Sequence, residues 1–443
     1  DDPFAMAGDP FSENGNQKAD DGFGIFDPPV VKKPEPVKEL DLTPDDPERQ
    51  LTFQQINTNY PMTEACASAN YTAQSADVRN KLVYCFDVGG STTDISALFA
   101  LKGGNPHMIK QSSIRFAAQR VAGVTRELHE EFKRVLTVVC NEYGIKLIGF
   151  NVGDMRYGAS TAPYYFEQMV DILDAEQLKF FYGKIAELSP RLFAVNMYVT
   201  GLIMFYAGQL ARPLIAAINA NIDPGLAKPR GFQPIFEGKG ARIFDWLSTK
   251  NYPMAEAYFK TMFKKGVNMD NMADSYIDLS ILHNGRPNED VKFEVSKGVA
   301  SPNGTLQQPI ESFEIFGENG FKGHDQKGNV YEYDFTTKLT PEWMREIGGY
   351  IRQDSANCDC FRKFLGTYYN AVQQILGLSM SKDECALGMA NMNIEQYVTQ
   401  ELPRFRDAME RERKGSDFDY VAPIIIVEGM KFYEKHLLKC FRS

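Results

Sequence analysis

Two short apolar runs, Leu82–Phe86 and Ile95–Phe99, are separated by eight residues, Asp87-Val88-Gly89-Gly90-Ser91-Thr92-Thr93-Asp94. Runs of that length, rich in β-formers, read as buried strands. The segment between them, with two adjacent glycines, must then form a tight hairpin turn. Gly89 and Gly90 can take positive φ and let the backbone come close to a ligand. Successive amides in such a turn make an anion-binding concavity, and Ser91, Thr92 and Thr93 add hydroxyl donors. Asp87, at the strand end, suits a magnesium ion held through its waters, because this ion keeps most of its hydration shell. Asp94 supplies a second carboxylate at the far end of the turn. Such a turn stabilises charge on a transferred phosphoryl group. A hairpin with an Asx turn would account for a lone Gly-Gly; the carboxylates at both ends and the three hydroxyls favour the phosphate site.

The chain has 443 residues, enough for roughly two to four domains or lobes with a large core. Its net charge of −10 argues against a nucleic-acid binder working by bulk charge. Seven scattered cysteines, at 66, 85, 140, 358, 360, 385 and 440, fit a reduced cytoplasmic interior better than a disulfide framework. No signal peptide opens the sequence, and its first residue, Asp1, suggests a fragment or processed piece. Leu192–Ala211 carries no charge and is long enough to span a bilayer. It also holds Asn196, Thr200 and Gln209, so a buried helix is expected rather than a membrane span.

Residues 1–50 are rich in Asp, Pro and Gly and predict a disordered acidic linker, within which Asp2-Pro3-Phe4 recurs as Asp9-Pro10-Phe11. Helices are expected over 63–71, 115–139, 175–188 and 190–218, strands over 232–236 and 290–295, and a helix start at 241–247. Gly- and Asn-rich turns between aromatics predict β-hairpins over 303–335. Residues 341–414 read as mostly helical, Val421–Val427 as a late buried strand, and 429–441 as a closing helix.

The turn at 87–94 resembles the second phosphate motif of the superfamily that holds actin, the seventy-kilodalton heat-shock chaperones and the sugar kinases. Glu64-Ala-Cys-Ala-Ser-Ala-Asn-Tyr71 is similar to the first connecting helix of the chaperone branch. Pro234-Ile-Phe-Glu-Gly-Lys-Gly-Ala-Arg-Ile243 resembles the adenosine motif, with Lys239 where the family usually has a second adjacent glycine. Glu294-Val-Ser-Lys-Gly-Val-Ala300 resembles the second connecting segment. The general look is also similar to long bacterial proteins of the SrfB-like virulence-factor group.

The resemblance implies an α/β chain with an actin-like, ribonuclease H-like lobe over 51–301 and an additional α+β region over 302–443. It implies ATP and magnesium as cofactors, with Asp87 and Glu64 as catalytic residues and Asp87 and Asp94 at the metal. Gly89, Gly90, Ser91, Thr92 and Thr93 would hold phosphates, and Gly238, Gly240 and Arg242 would flank the adenosine. The family's first phosphate hairpin has no counterpart in the 86 residues before Asp87. The nucleotide half of the first lobe is therefore expected to be absent from these residues and to come from an upstream lobe or a protein partner.

Three functions follow: an ATP-dependent conformational switch, incomplete for hydrolysis by itself; a non-catalytic scaffold or assembly subunit keeping the fold; or a small-molecule kinase, for which no sugar-binding signature is present. Cys358-Asp-Cys360 lacks the usual zinc spacing and a second pair. The five histidines are far apart in sequence and form no metal-helix motif.

Overall fold

The computed structural model describes residues 64–75, 81–100, 106–147, 161–219, 231–248, 254–279, 298, 321–324, 330–333, 359–390 and 424–441. All belong to one unit, Tyr60–Ser443. The linker expected over 1–50, the strand expected over 290–295 and most of the hairpin region lie outside the described residues.

The fold is mixed α/β around one four-stranded sheet. Helix α1 (Glu64–Ser75) precedes strands β1 (Lys81–Val88), β2 (Thr93–Ala100) and β3 (Pro106–Ile114), which form an antiparallel meander. Strand β4 (Gly231–Glu237) then pairs parallel to β1, giving the order β3-β2-β1-β4. The register sets Phe86 opposite Ile95 on β2 and Phe236 on β4, so the apolar residues of all three share one face. That face carries the core: Phe86 stacks on Phe236 at 4.9 Å between ring centroids, and Tyr84 meets Phe232 edge-on at 5.1 Å.

A helical layer covers this face. It comprises α2 (Gln119–Thr125), α3 (His129–Tyr143), α4 (Thr161–Ile172), α5 (Ala175–Leu188), α6 (Pro190–Asn219) and α7 (Met254–Val267), with a 3-10 helix over Lys239–Ser248. Helix α5 starts where Asp174 and Gln177 form a reciprocal capping box. Helix α6 is long and apolar enough to cross a membrane, but 94% of that stretch, Pro190–Arg212, is buried inside the fold. Two of its polar side chains are engaged within the fold: Asn196 donates to the Ile243 carbonyl at 3.1 Å, and Thr200 accepts from the Trp246 indole at 3.2 Å. On the other face of the sheet lies α1, whose small residues Ala67, Ser68 and Ala69 are fully buried.

Farther along, β5 (Phe321–His324) and β6 (Val330–Tyr333) form a separate antiparallel pair, and α8 (Asp359–Leu376) and α9 (Lys382–Ala390) follow. The run expected as a strand over 421–427 is instead the start of helix α10 (Ile424–Phe432), continued by a π-turn over Tyr433–Leu437 and a 3-10 turn over Lys439–Phe441. An isoleucine run suits a buried strand or a buried helix equally. Here contact with α6 decides: Tyr198 donates to the Gly429 carbonyl at 2.8 Å, and Leu202 presses where Gly429 has no side chain. The single helix expected over 115–139 is two, α2 and α3. The chain leaves helical geometry at Leu128 (φ −103°, ψ 26°), which buries Leu128 and His129. Strand β3 had no sequence signal: among its side chains with assigned burial, only Met108 and Ile114 are buried.

Candidate functional site

The turn is a hairpin closed by the pairs Asp87–Asp94 and Val88–Thr93, with the Gly89 amide donating to the Thr92 carbonyl at 2.9 Å. Its carbonyls are held from below. The Gln119 amide donates to Gly90 at 2.8 Å and the Ala118 amide to Gly89 at 3.4 Å, which stitches the start of α2 to the turn. Among the described residues no backbone carbonyl accepts the amides of Gly90, Ser91 or Thr92. Gly90 and Ser91 are exposed. Thr93, by contrast, is fully buried, and its hydroxyl donates to the Phe116 carbonyl at 2.8 Å.

The parallel pairing of β4 with β1 delivers the second glycine turn, Gly238-Lys239-Gly240, onto the first. Gly238 has φ of +76°, and a Cβ there would sit 2.5 Å from Asp87 Oδ1 and 2.6 Å from the Val88 carbonyl oxygen. A Cβ at Gly240 would overlap the Gly89 carbonyl oxygen. Only glycine fits at either position, by backbone conformation at Gly238 and by closeness at both. Two turns some 150 residues apart in sequence thus touch backbone to backbone.

Beside this contact opens a cavity of about 310 Å³. Gly90 and Gly240 contribute backbone, and Ala118, Ala122, Phe166 and Val170 form apolar walls. Its polar groups are Gln119, Glu167, Asp171 and Lys239. Lys239 pairs with Asp171 at 2.7 Å, with both side chains nearly half exposed, so the pair is worth little in stability. Burial and then the neighbouring Asp171 carboxylate push the Glu167 pKa up. None of the α4 residues here was foreseen, because α4 itself was not recognised. A volume of this size with apolar walls and a few polar groups matches small-molecule sites.

The opposite face of the sheet is different. Strand alternation puts Cys85 and Asp87 on the side of α1, and register puts Asp94 and Glu237 there too. Glu237 is buried and accepts hydrogen bonds from Ser68 and Thr72 of α1 and from the Cys85 thiol, the last at 3.0 Å. Burial first, and then Glu237, push the Cys85 pKa well up. Helical periodicity sets Glu64 one turn before Ser68 on the same face of α1. Its own side chain lies outside those described.

The structure therefore brings together Asp87, Asp94, Gly89, Gly90, Ser91, Thr92, Gly238 and Gly240. It turns two other expected site residues inward. Besides Thr93, Arg242 is buried, and its guanidinium donates to the Val170 and Leu173 carbonyls at 2.6 and 2.8 Å, capping the end of α4. Among the described residues no three His, Cys, Asp or Glu side chains converge on a common metal position. Asp87 and Asp94 side by side suit magnesium only as an ion that keeps its waters. The chain matches no model of a known protein family, and no curated protein matches it significantly.

Proposed function

We propose that the chain is an ATP-binding protein of the actin and chaperone superfamily, with its phosphate turn at Asp87–Asp94 and its adenosine turn at Gly238–Gly240. The observation that carries this reading is the seating of one glycine turn on the other at the edge of a cavity. The meander followed by a parallel fourth strand agrees with a ribonuclease H-like lobe. The two segments read as connecting helices also meet: Gly298 packs so closely on the Ala67 carbonyl that no side chain would fit.

In this reading the phosphates lie on the amides of Gly90 to Thr92. The base and ribose enter the cavity against Phe166 and Val170, where Glu167 and Asp171 are placed to accept ribose hydroxyls. Bound magnesium would neutralise phosphate charge. Asp87 and Asp94 would hold its water shell, and the absence of a side chain at Gly238 leaves room for the Asp87 carboxylate. Titration calorimetry with Mg-ATP tests this. Weak binding is expected, lost in Gly90→Val and stripped of magnesium dependence in Asp87→Ala. Unchanged affinity and metal dependence in both folded variants would make the turn purely structural.

Hydrolysis requires a second hairpin facing the first, and catalysis of this kind is mostly positioning and electrostatics. Residues 1–443 alone are therefore expected to bind without turnover. A steady-state phosphate-release assay checks this; turnover that disappears in Asp87→Ala would reveal a complete site. A second reading, a scaffold that keeps the fold without using nucleotide, is favoured by Thr93 and Arg242 both being spent on internal carbonyls. It predicts no Mg-ATP binding by the folded wild-type chain.

A further inference from the structure

Helix α9 and the C-terminal segment over 424–441 are joined by a dense local contact. The Ser381 amide, just before α9, donates to the Cys440 carbonyl at 2.8 Å. His436 Nδ1 lies 2.9 Å from Glu384 Oε1. A Cβ on Gly388 would come 2.7 Å from the Phe432 ring, so the two elements pack with no side chain between them. At the centre of this contact Cys385 Sγ and Cys440 Sγ stand 3.4 Å apart, both buried and both free thiols.

We infer that Cys385 and Cys440 form a redox-responsive pair, oxidised by a peroxide to a disulfide that clamps α9 to the C-terminal segment. Separation of 55 residues in sequence and contact in space mean that the bond closes a large loop without moving the backbone far. The thiols lie within hydrogen-bond reach of each other, and either can donate to the other. The two sulfurs are not equivalent: Cys385 is 8% exposed where Cys440 is fully buried. As the more accessible sulfur, Cys385 is the one a peroxide reaches first, which makes it the attacking thiolate and Cys440 the resolving thiol.

The steps balance. The Cys385 thiolate attacks one peroxide oxygen, the O–O bond breaks, and the departing hydroxide takes a proton to become water, leaving a sulfenic acid on Cys385. The Cys440 thiol gives up its proton and attacks the Cys385 sulfur. The S–O bond breaks and the second hydroxide leaves as water. Two thiols and one hydrogen peroxide give one disulfide and two waters. In a reducing compartment a bond of this kind is transient and serves sensing.

The consequence reaches the candidate nucleotide site through α2. Tyr433 donates to the Arg120 carbonyl, and the Arg120 guanidinium pairs with Glu434 at 3.2 Å, one residue from Gln119 and its bond to Gly90. Clamping the C-terminal segment therefore stiffens the element on which α2 leans.

The test is peptide mapping of the native full chain treated with hydrogen peroxide, quenched with an alkylating agent and digested. A Cys385–Cys440 linked peptide with loss of both thiols, reversed by dithiothreitol, is expected, while Cys85 and Cys140 remain alkylatable. Hydrogen exchange on the cross-linked protein should show added protection over 424–441. In Cys440→Ser the Cys385 sulfenic acid should persist and be trapped by dimedone; if that variant fails to fold, the wild-type map decides alone. Both cysteines alkylated after oxidation, or Cys385 linked to a different cysteine, overturns the pairing. Unchanged exchange over 424–441 in the linked protein overturns the clamp.

Discussion

On one face of the sheet Tyr84, Phe86, Phe232 and Phe236 meet a thick helical layer; on the other, Cys85 and Glu237 meet Ser68 and Thr72 of a single helix. The first face is aromatic, dry and interlocked. Phe232 continues its stacking onto Phe263 of α7 at 3.8 Å, and Phe236 onto Phe244 at 4.0 Å. The second is built from small side chains, hydroxyls, a thiol and a buried carboxylate, and it carries Asp87 and Asp94 at its upper end. Burial of aromatic surface yields large, non-directional stabilisation. A buried carboxylate with three donors contributes little net stability but punishes any change of geometry. The aromatic face therefore holds the sheet, and the polar face fixes where α1 sits on it.

Substitutions at four positions test this contrast. Phe86→Ala should cost the most, about 3–5 kcal/mol of unfolding free energy, because the cavity it leaves is walled by rigid rings. Its measure is the shift in urea midpoint, with the m-value unchanged. A loss below about 1 kcal/mol would mean that the aromatic layer repacks freely.

Gly240→Ala comes next. The added methyl meets backbone rather than a flexible side chain, and overpacking of that kind costs about 1–3 kcal/mol. It should also weaken Mg-ATP binding more than it lowers stability, because it moves the two turns apart. Equal losses would make the turn contact a matter of packing alone.

Glu237→Ala should cost about 2 kcal/mol by removing the charged acceptor shared by Ser68, Thr72 and Cys85. Glu237→Gln keeps an acceptor there and should recover much of it. If both variants match wild type in thermal melts, the polar face does not position α1.

The smallest effect is pH-dependent. Glu428 on α10 is buried and keeps one carboxylate oxygen, Oε2, without a partner among the described residues, while Oε1 accepts from Lys431 at 3.2 Å. Burial raises its pKa above the ordinary carboxylate value. The folded state then favours the protonated form, so stability falls as pH rises from the unfolded value near ~4.3 through the raised folded one. Glu428→Gln removes that penalty. Its melting temperature should draw ahead of wild type as pH increases over this window and stay ahead above it. A gap that shrinks with rising pH would reverse the sign and refute the assignment.

The hairpin at 87–94 was legible because everything that makes it is local: two β-forming runs, adjacent glycines and carboxylates at the strand ends. The short strand at 232–236 and the helices at 175–188 and 190–218 were legible for the same reason. What escaped depends on distant residues. Thr93 looks like a phosphate ligand in a Ser-Thr-Thr row, and only the path of Phe116 reveals that its hydroxyl is engaged elsewhere. Arg242 looks like a ligand to adenosine until α4 ends beneath it. Strand β3 has little apolar alternation and is created by pairing with β2, and the isoleucines of α10 become helical against α6.

The bond between Tyr433 and Arg120 spans 313 residues of sequence. During synthesis the ribosome makes the sheet, the turns and α2 long before it makes their brace. Until residues 424–441 have emerged and docked, α2 lacks the contacts that Tyr433 and Glu434 make with Arg120. Long-range closures of this kind are slow because loop entropy is lost before any contact repays it. The order of manufacture thus places this step of site assembly well after the sheet and both glycine turns have left the exit tunnel.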